Sequence, residues 1–395
     1  MDVVITVGHR FNQTPDGSVW TQTMFAYPFW GRYLEVFDRV RVVARVESVH
    51  DQPADWIRAD GIDVSFVPVP YYVGPWEYLK QSHTVRATIR NAPRPGDAII
   101  LRGSSTMASY LWQINYPYGI EVVGDPYDVF APGANKHPLR PIFRWMFSRH
   151  LKAICSRACA TAYVTEKYLQ RRYPPSPRSF TTNYSSVELP PEAFVSHVRQ
   201  GFCENDIILV SIGSLAQPYK GFDILIQAVA LCVENGLDLK LILIGDGYYR
   251  SSLEALRDQL GLKQRVIFRG QLPAGERVRS ELDSADLFVL PSFTEGLPRV
   301  MIEAMARGLP CIGSSVGGIP ELLSAEDLFP SRDPKALADK VAEVVRDRKR
   351  MVEMAERNLR KARNYSDAVL SAKRKEFYEY VRCRTEEWCR KKYQV

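Results

Sequence analysis

Two glutamates in the last third of the chain, Glu295 and Glu303, have a spacing that could serve ligand binding. Seven residues separate them, and Gly296, Leu297 and Pro298 directly follow the first glutamate. Carboxylates accept hydrogen bonds from sugar and ribose hydroxyls, while free backbone N–H groups at the start of a helix hold anionic oxygens. The pair therefore suits a ligand that carries both hydroxyl and phosphate groups. In the alternative interpretation, Glu295 is a solvated loop residue and Glu303 is a partner of the helix dipole.

The sequence around the pair predicts a strand, a loop and a helix. An apolar run at residues 285–290 is typical of a buried parallel strand, and apolar residues recur at helical spacing from about Pro298. Glu295 then lies on the loop and Glu303 lies in the first turns of the helix. Because open α/β sheets bind ligands outside the carboxyl ends of their strands, we expect both carboxylates to face one crevice.

Three further strands are predicted upstream, at residues 207–212, 239–244 and 265–268. The residues that end or follow them are polar or glycine, namely Gly213, Ser214, Gly245, Arg269 and Gly270. Lys220 stands at the entrance of a predicted helix at residues 222–234, where a lysine can pair with a diphosphate as a point charge. A lone lysine in such a place is more often solvated. The alternation of strands and helices is the doubly wound pattern.

The first half of the chain predicts a second α/β domain, with strands at residues 2–8, 38–46, 63–69, 97–101 and 121–123. A helix that contains Trp20, Met24 and Phe29 is expected after the first strand. The loops beyond the strands contain the candidate ligand-facing residues Gly17, Ser18, Gly103 and Asp125. Gly17 and Ser18 either admit a ligand close to the backbone or simply start the helix, and both interpretations stay open.

A boundary between the two domains is predicted near residue 195. Proline clusters at residues 173–177 and 189–191 lie on either side of a polar run, and regular structure restarts after Gly201. An N-terminal domain at residues 1–195 and a C-terminal domain at residues 196–364 follow from this pattern.

Composition limits the classes of protein that fit. The 395 residues are 46% hydrophobic and 25% charged, which is ordinary for a globular protein of two domains. Neither a membrane-spanning apolar run nor a signal peptide is evident, so we expect a cytoplasmic protein. Seven scattered cysteines without CxxC pairs favour reduced thiols over a metal site. The net charge of +7 favours acidic partners, which include phosphate-bearing ligands, anionic lipid and nucleic acid.

A basic amphipathic helix is predicted at residues 138–155. Its apolar residues recur at helical spacing, and Trp145 lies among the cations Arg140, Arg144, Arg149 and Lys152. This composition is typical of helices that lie on an anionic membrane surface. The alternative is an ordinary surface helix whose apolar stripe packs into the domain core.

Four segments occur in order between residues 211 and 323: IGSLAQPYKGFDILIQA, LILIGDGYYR, VIFRGQLP and ADLFVLPSFTEGLPRVMIEAMARGLPCIGSSVGGIPELL. In this order they resemble the C-terminal domain of retaining GT-B glycosyltransferases of family 4, also called group 1. The resemblance implies two doubly wound Rossmann-like domains that face each other across a cleft, with helices 365–395 packed on the N-terminal domain. It also implies sugar transfer from a UDP- or GDP-linked donor to a saccharide or lipid-linked saccharide, as in surface glycan biosynthesis, with neither metal nor cofactor.

The resemblance also implies roles for individual residues. Lys220 would contact the donor diphosphate, Glu303 the ribose, and Glu295 the transferred sugar as a catalytic residue. Further donor-binding residues would be Gly213, Ser214, Gly245, Arg269, Gly270, Gly296, Leu297 and Pro298, and the acceptor side would include Gly17, Ser18, Gly103 and Asp125. Ser214 stands where the family often has an arginine as a second cation for the diphosphate. Arg299 and Arg102 are the candidates to replace that cation. Asp125, the second catalytic candidate, stands where the family often has a histidine.

Two other classes of function compete with this assignment. A nicotinamide-dependent oxidoreductase would place GxGxxG after a strand, and the GDG at Gly245 lacks the third glycine. A noncatalytic protein that binds carbohydrate, nucleotide or nucleic acid is compatible with the basic charge. RNA-binding modules, however, present stacking aromatics on a recognisable sheet motif, which is not found here, so we expect no nucleic-acid partner.

Overall fold

The computed structural model describes residues 1–50, 53, 55–103, 107–111, 115–130, 138–202 and 206–393. The chain divides into two compact units. The first comprises Met1–Pro126, Trp145–Tyr184 and Ser371–Val395, and the second comprises Tyr127–Arg144 and Ser185–Leu370. Each unit contains its own sheet of mainly parallel strands.

Among the described residues, the sheet of the first unit comprises β1 (Val3–Gln13), β2 (Val19–Thr21), β3 (Val40–Ser48), β4 (Ile57–Arg58), β5 (Val64–Val69), β6 (Ala98–Arg102), β7 (Gly119–Val122), β8 (Ala160–Tyr163) and β9 (Phe180–Asn183). Its parallel strands follow the order β5, β3, β1, β6, β7, β8, β9, while β2 and β4 pair antiparallel beside the end of β1. The strand order therefore reverses between β1 and β6, which is where doubly wound sheets open a ligand crevice.

The helices of the first half are α1 (Tyr27–Leu34), α2 (Gly74–Arg90), α3 (Ala108–Leu111), α4 (Pro126–Val129), α5 (Arg140–Cys155) and α6 (Tyr168–Arg172). Those of the second half are α7 (Phe222–Glu234), α8 (Arg250–Gln259), α9 (Glu276–Asp283), α10 (Arg299–Ala306), α11 (Ile319–Leu322), α12 (Pro334–Arg346), α13 (Arg348–Ala362) and α14 (Asp367–Tyr393).

The sheet of the second unit is parallel throughout. Its strands are β10 (Ile207–Ile212), β11 (Leu239–Ile244), β12 (Val266–Gly270), β13 (Leu287–Leu290), β14 (Cys311–Ser314) and β15 (Leu328–Phe329), in the order β12, β11, β10, β13, β14, β15. The strands are apolar because helices cover the sheet, and Leu209, Leu241 and Val341 of helix α12 lie in one hydrophobic core. The predicted α/β class with two doubly wound sheets is confirmed, and the order reverses here between β10 and β13.

The helix predicted after the first strand is correct for Phe29 but wrong for Trp20, Met24 and Phe25, which precede its start. Strand β1 continues to Gln13, and a turn stabilised by a 3.1 Å hydrogen bond from Thr14 N to Ser18 O leads back into β2, which contains Trp20. Val19 and Thr21 are buried and Trp20 is only partly so, which is the alternation of a strand. Helix α1 begins only at Tyr27. The TPDGS segment at residues 14–18, together with this short alternation, is a sequence signal for a β-hairpin.

A buried carboxylate organises the core of the first unit. Glu121 on β7 accepts hydrogen bonds from Arg102 Nη1 at 2.6 Å, from the hydroxyls of Tyr33 and Tyr184 at 2.8 Å, and from the hydroxyl of Tyr378 at 3.1 Å. Burial favours the neutral acid, but Arg102 and these donors lower the pKa of Glu121 below its ordinary value. Because Tyr378 lies on α14, the cluster ties the C-terminal helix to the sheet of the first unit.

Candidate functional site

The candidate site lies at the carboxyl ends of β10 to β14 in the second unit. The chain leaves β10 towards α7 and leaves β13 towards α10, on either side of the point where the strand order reverses. Loops that diverge in this way leave a crevice between them. Parallel pairing of β10 with β13 keeps the two loops at the same edge of the sheet.

Lys220 and Glu295 connect these two loops. Lys220 Nζ lies 2.5 Å from Glu295 Oε1, and the hydroxyl of Ser292 donates to the same oxygen at 2.7 Å. The side chains are 14% and 10% exposed, so the ion pair is largely shielded from water while one edge of it stays accessible. An ammonium has three N–H donors, and this pair leaves others available for a ligand.

Two glycines allow the loops of neighbouring strands to approach each other closely. A Cβ on Gly245, after β11, would lie 1.9 Å from the carbonyl oxygen of Gly213, and a Cβ on Gly317, after β14, would lie 1.9 Å from that of Glu295. Both glycines also have a positive φ, which side chains disfavour. The loop after β14 is held further by a 2.8 Å hydrogen bond from Gly318 N to Gly296 O. The backbone therefore packs directly together in two pairs of loops, those after β10 and β11 and those after β13 and β14.

Glu303 lies on α10, within the first turns as predicted. Along the part of the chain that the structure describes, its carboxylate has no hydrogen-bond partner. Burial raises the pKa of Glu303 above its ordinary value, and the nearby charge of Arg299 opposes this shift. A shielded carboxylate without a donor is unfavourable in the free protein and is ready to accept hydrogen bonds from ligand hydroxyls.

The backbone before α10 offers hydrogen-bond donors, whereas Glu303 offers acceptors. Among the described residues, the N–H groups of Gly296 and Leu297 meet no acceptor, and Pro298, the N-cap of α10, provides no side-chain cap. These N–H groups and the positive end of the helix dipole suit an anion. The crevice therefore combines a cation, free N–H groups and two carboxylates.

The remaining donor-side candidates lie at neighbouring strand ends. Ser214 is exposed, and its hydroxyl accepts a hydrogen bond from Ala216 N at 3.2 Å. Gly245 N donates to Gly270 O at 2.9 Å, which joins the ends of β11 and β12. Arg269 is exposed and forms an ion pair with Glu281 at 3.0 Å.

The two candidate second cations differ in their accessibility to a ligand. Arg102 is buried in the first unit and donates to Glu121. Arg299 is exposed at the first position of α10, four residues before Glu303. Its side chain can therefore reach an anion at the start of that helix.

The structure places Asp125 in a buried ion pair. Its carboxylate pairs with Arg172 and accepts a hydrogen bond from the hydroxyl of Tyr173 at 2.5 Å, and the side chain is 2% exposed. This geometry favours a structural role, and a catalytic role for Asp125 stays a prediction. Gly103 follows the neighbouring strand β6 and donates its N–H to Glu121 O at 2.8 Å.

Gly17 and Ser18 form part of the hairpin turn between β1 and β2. The hydroxyl of Ser18 donates to Asp16 at 2.8 Å, and its side chain is buried. Gly17 lines a pocket of about 350 Å³ together with residues that include Gln13, Ser48 and His50. The turn therefore belongs to the edge formed by the ends of β1 and β3, beyond the part of β1 that pairs with β6.

Sequence reasoning missed two residues of the donor-side crevice. Ser292, which donates to Glu295, lies within the SFTEG segment, and only the position of the strand end before it could have indicated its role. Arg332 has its guanidinium 4.3 Å from the centre of the Phe293 ring and adopts a left-handed φ of 67°. Its sequence neighbourhood contains no signal for this contact.

In the described ranges, no group of three or more His, Cys, Asp or Glu is placed to hold a metal ion. Over the same part of the chain, no helix is long and apolar enough to cross a membrane.

Known proteins resemble this chain in part of its sequence and in its fold. Residues 195–362 match the family model "Glycosyl transferases group 1". Among solved structures, Anabaena Alr3699/HepE in complex with UDP and glucose superposes with a TM-score of 0.64 at 16% identity, over 100% of both chains. The fold is that of GT-B glycosyltransferases, and the family match covers most of the second unit of this chain.

Two curated relatives extend the comparison. Protein CapJ of Staphylococcus aureus is 28% identical over 78% of both chains. The protein named "Putative colanic acid biosynthesis glycosyltransferase WcaL" of Escherichia coli K12 is 35% identical over 34% of this chain and 35% of its own length. The similarity to WcaL therefore covers about a third of each protein.

Proposed function

We propose that this protein is a retaining glycosyltransferase that moves a hexose from a nucleotide sugar to a saccharide or lipid-linked saccharide in surface glycan biosynthesis. The observation that carries the proposal is the Lys220–Glu295 ion pair across the reversal point of the second sheet, beside the free N–H groups of Gly296 and Leu297. The colanic acid role in the name of WcaL supports the surface-glycan assignment. The UDP bound to HepE supports UDP as the donor nucleotide, with GDP as the alternative.

The donor would use each polar group of the crevice. Its diphosphate would bind Lys220, the N–H groups before α10 and Arg299. Its ribose hydroxyls would donate to Glu303, which has no other donor within the described residues. The transferred sugar would contact Glu295, and the nucleobase would lie near Arg269 and Gly270. Gly213, Ser214 and Gly245 would border the diphosphate.

The transfer step needs stabilisation of the leaving group rather than a cofactor. The bond between sugar C1 and the diphosphate oxygen breaks, and the acceptor oxygen forms a bond to C1 on the same face. The acceptor proton passes to a phosphate oxygen, so that the anomeric configuration is retained. Lys220 and the N–H groups of the crevice supply positive charge to the leaving diphosphate, and preorganised donors of this kind lower the barrier. We therefore propose a metal-independent reaction.

The acceptor side includes a proposed contact with an anionic membrane. Helix α5 exposes Ile142 and Trp145, which are 57% and 65% exposed, whereas Leu151 and Ile154 nearer its end are buried. The helix has no acidic residue and carries Arg140, Arg144, Arg149 and Lys152. Its first half thus has the composition of an interfacial helix, and its second half belongs to the core. We propose peripheral binding at the cytoplasmic face, where a lipid-linked acceptor would be presented.

A donor screen with product analysis tests the proposal. The purified protein is incubated with labelled UDP-, GDP-, ADP- and CMP-sugars and with a lipid extract of a bacterial envelope. We expect consumption of one donor and a labelled saccharide product. Binding of nicotinamide cofactors without consumption of any nucleotide sugar would instead support an oxidoreductase. Sugar binding without turnover would support a noncatalytic protein.

A further inference from the structure

Two arginines of the first unit lie side by side at the carboxyl ends of β1 and β3. Arg10 and Arg45 are direct partners in the parallel pairing of these strands. Residues opposite each other on neighbouring parallel strands point to the same face of the sheet. Arg10 Nη1 lies 3.5 Å from the hydroxyl of Tyr71, and the Arg45 guanidinium lies 4.8 Å from the centre of the Tyr72 ring. We call these four residues the Arg10–Arg45 cluster.

The two positive charges of the cluster are not neutralised within the protein. Over the described residues, neither arginine forms an ion pair with a carboxylate. Arg45 donates to two backbone carbonyls, to Gly8 O at 2.6 Å and to Tyr72 O at 3.1 Å, and within the described part of the chain its buried Nε has no acceptor. Burial and the charge of Arg10 lower the pKa of Arg45. Like charges directly opposite in a sheet are destabilising, so an anion would relieve this arrangement.

The position of the cluster suits a ligand. Strand β1 pairs with β6 only as far as Val7, and its register with β3 shifts between Thr6 and Arg10. Arg10 therefore lies beyond the paired part of β6, at the edge where open α/β sheets bind ligands. Arg10 is exposed, while Arg45 is partly buried behind it.

His9, the neighbour of Arg10, does not add charge at neutral pH. Its Nε2 lies 3.0 Å from the hydroxyl of Thr21, and burial, with Arg10 and Arg45, lowers the pKa of His9 to about 4. The positive charge of this edge therefore comes from the two arginines.

We propose that the Arg10–Arg45 cluster binds an oxyanion of the acceptor, which is either the carboxylate of an acidic sugar or a phosphate. This inference rests on the proposed function and adds a charged group to its acceptor. A guanidinium can bind either oxyanion with two parallel hydrogen bonds. Arg10 makes the direct contact, the hydroxyl of Tyr71 adds a donor, and Arg45, held by Tyr72 and Gly8, adds charge behind the anion.

Calorimetry with matched sugars tests the cluster. Methyl glucuronide and glucose 6-phosphate are the anionic probes, and methyl glucoside and glucose are their neutral counterparts. We expect the wild-type protein to bind at least one anionic probe roughly tenfold more tightly than its counterpart, which corresponds to about 1.4 kcal/mol. Preference for the glucuronide indicates an acidic sugar, and preference for the phosphate ester indicates a phosphorylated acceptor. Absence of any preference would overturn the proposal.

Variants separate the cluster from general charge effects. Arg10→Gln should remove most of the preference, whereas Arg39→Gln should retain it. Arg39 is exposed beside the amino end of β3 and is therefore a matched control. Arg10→Gln should leave the melting temperature unchanged or raise it, because one of two like charges is removed. A large fall in melting temperature, or an equal loss in both variants, would show that the cluster is not an anion site.

The failure of this inference can be distinguished from failure of the proposed function. UDP binding depends on the second unit and is measured on the same protein samples. Arg10→Gln should retain UDP affinity. Normal UDP binding without anion preference would reject only the cluster, while anion preference without binding of any nucleotide sugar would reject the proposed transferase.

Discussion

Lys220 Nζ lies 2.5 Å from Glu295 Oε1, so the loop after β10 and the loop after β13 are connected before any ligand binds. The ion pair holds Lys220 at the crevice and offsets the charge of Glu295. A donor diphosphate would compete for the ammonium while a sugar hydroxyl would donate to the carboxylate. In the free protein, Lys220 and Glu295 thus bind each other in place of the diphosphate and the sugar hydroxyl of the donor.

Lys220→Ala should weaken UDP binding much more than uridine binding, because only UDP presents the diphosphate charge. Loss of a hydrogen bond to a charged group costs about 1.5–3 kcal/mol, which is a decrease in affinity of roughly 10- to 150-fold. Calorimetry with both ligands measures the difference. Lys263→Ala is the control, since Lys263 is exposed just before the amino end of β12. Equal losses for UDP and uridine would contradict a diphosphate contact at Lys220.

Glu303 should make donor binding dependent on pH. Burial raises the pKa of Glu303, and protonation removes an acceptor for the ribose hydroxyls. We therefore expect UDP affinity to fall as pH is lowered through this raised pKa, with a flatter profile in Glu303→Gln. The variant should also lose about 1.5–3 kcal/mol of binding free energy at neutral pH. Calorimetry between pH 5 and 8 checks this, and identical profiles for both proteins would remove Glu303 from the donor site.

The same substitution should stabilise the free protein at neutral pH. A carboxyl whose pKa is raised by folding binds protons more readily in the folded state, so its ionised form destabilises the fold above that pKa. Glu303→Gln removes this penalty and should therefore raise the free energy of unfolding. The gain in stability should disappear when the pH falls below the ordinary pKa of glutamate. Denaturant unfolding at pH 7 and pH 4 gives the comparison. A variant that is less stable than the wild type at pH 7 would indicate an unrecognised partner of Glu303.

The second sheet could be predicted well from the sequence, because its strands are buried on both faces. Strand β10 and helix α7 have the predicted bounds, Ile207–Ile212 and Phe222–Glu234. The hairpin of β1 and β2 could not be predicted from helical periodicity, since Trp20 and Met24 match the i, i+4 spacing of a helix by coincidence. The Glu121 cluster joins Tyr33, Arg102, Tyr184 and Tyr378 across most of the chain, and no local pattern links these residues.

The pairing of Arg10 with Arg45 was also beyond sequence reasoning. It depends on the register of β1 against β3, which includes a shift between Thr6 and Arg10. A one-residue change in register reverses the face on which a side chain lies. The contact between Lys220 and Glu295 likewise depends on strand order, which only the folded sheet defines.

Tyr378→Phe should destabilise the protein by about 1–2 kcal/mol, because it removes a buried hydrogen bond to the charged Glu121. Glu121→Gln should cost more, about 3–5 kcal/mol, since Arg102 is then buried without its counter-charge. Denaturant unfolding measures both effects. Tyr380→Phe on the same helix is the control, because in the described part of the chain its hydroxyl has no hydrogen-bond partner. Equal effects of Tyr378→Phe and Tyr380→Phe would show that the cluster does not stabilise the unit.

Vesicles that contain anionic lipid should bind the protein through the first half of α5. Each cation near such a surface contributes about 1 kcal/mol, and the exposed Ile142 and Trp145 add apolar contact. Co-sedimentation should therefore decrease with salt and should fall strongly in Arg140→Glu combined with Ile142→Ser. Arg144 is kept because its Nε donates to Tyr127 O at 2.8 Å. Arg39→Glu is the control for a charge reversal elsewhere, and no binding at low salt would reject the membrane contact.

Nuclear magnetic resonance of a transfer reaction, run with the donor found in the screen, is the most direct test of sugar transfer at the Lys220–Glu295 crevice. We expect the wild-type protein to release nucleoside diphosphate and to form a glycoside whose anomeric configuration matches that of the donor sugar. Lys220→Ala, folded as judged by its melting curve, should form product at least roughly tenfold more slowly, in line with loss of one charged contact to the leaving group. Undiminished transfer by Lys220→Ala, or no consumption of any nucleotide sugar by the wild type, would contradict the proposed site and reaction.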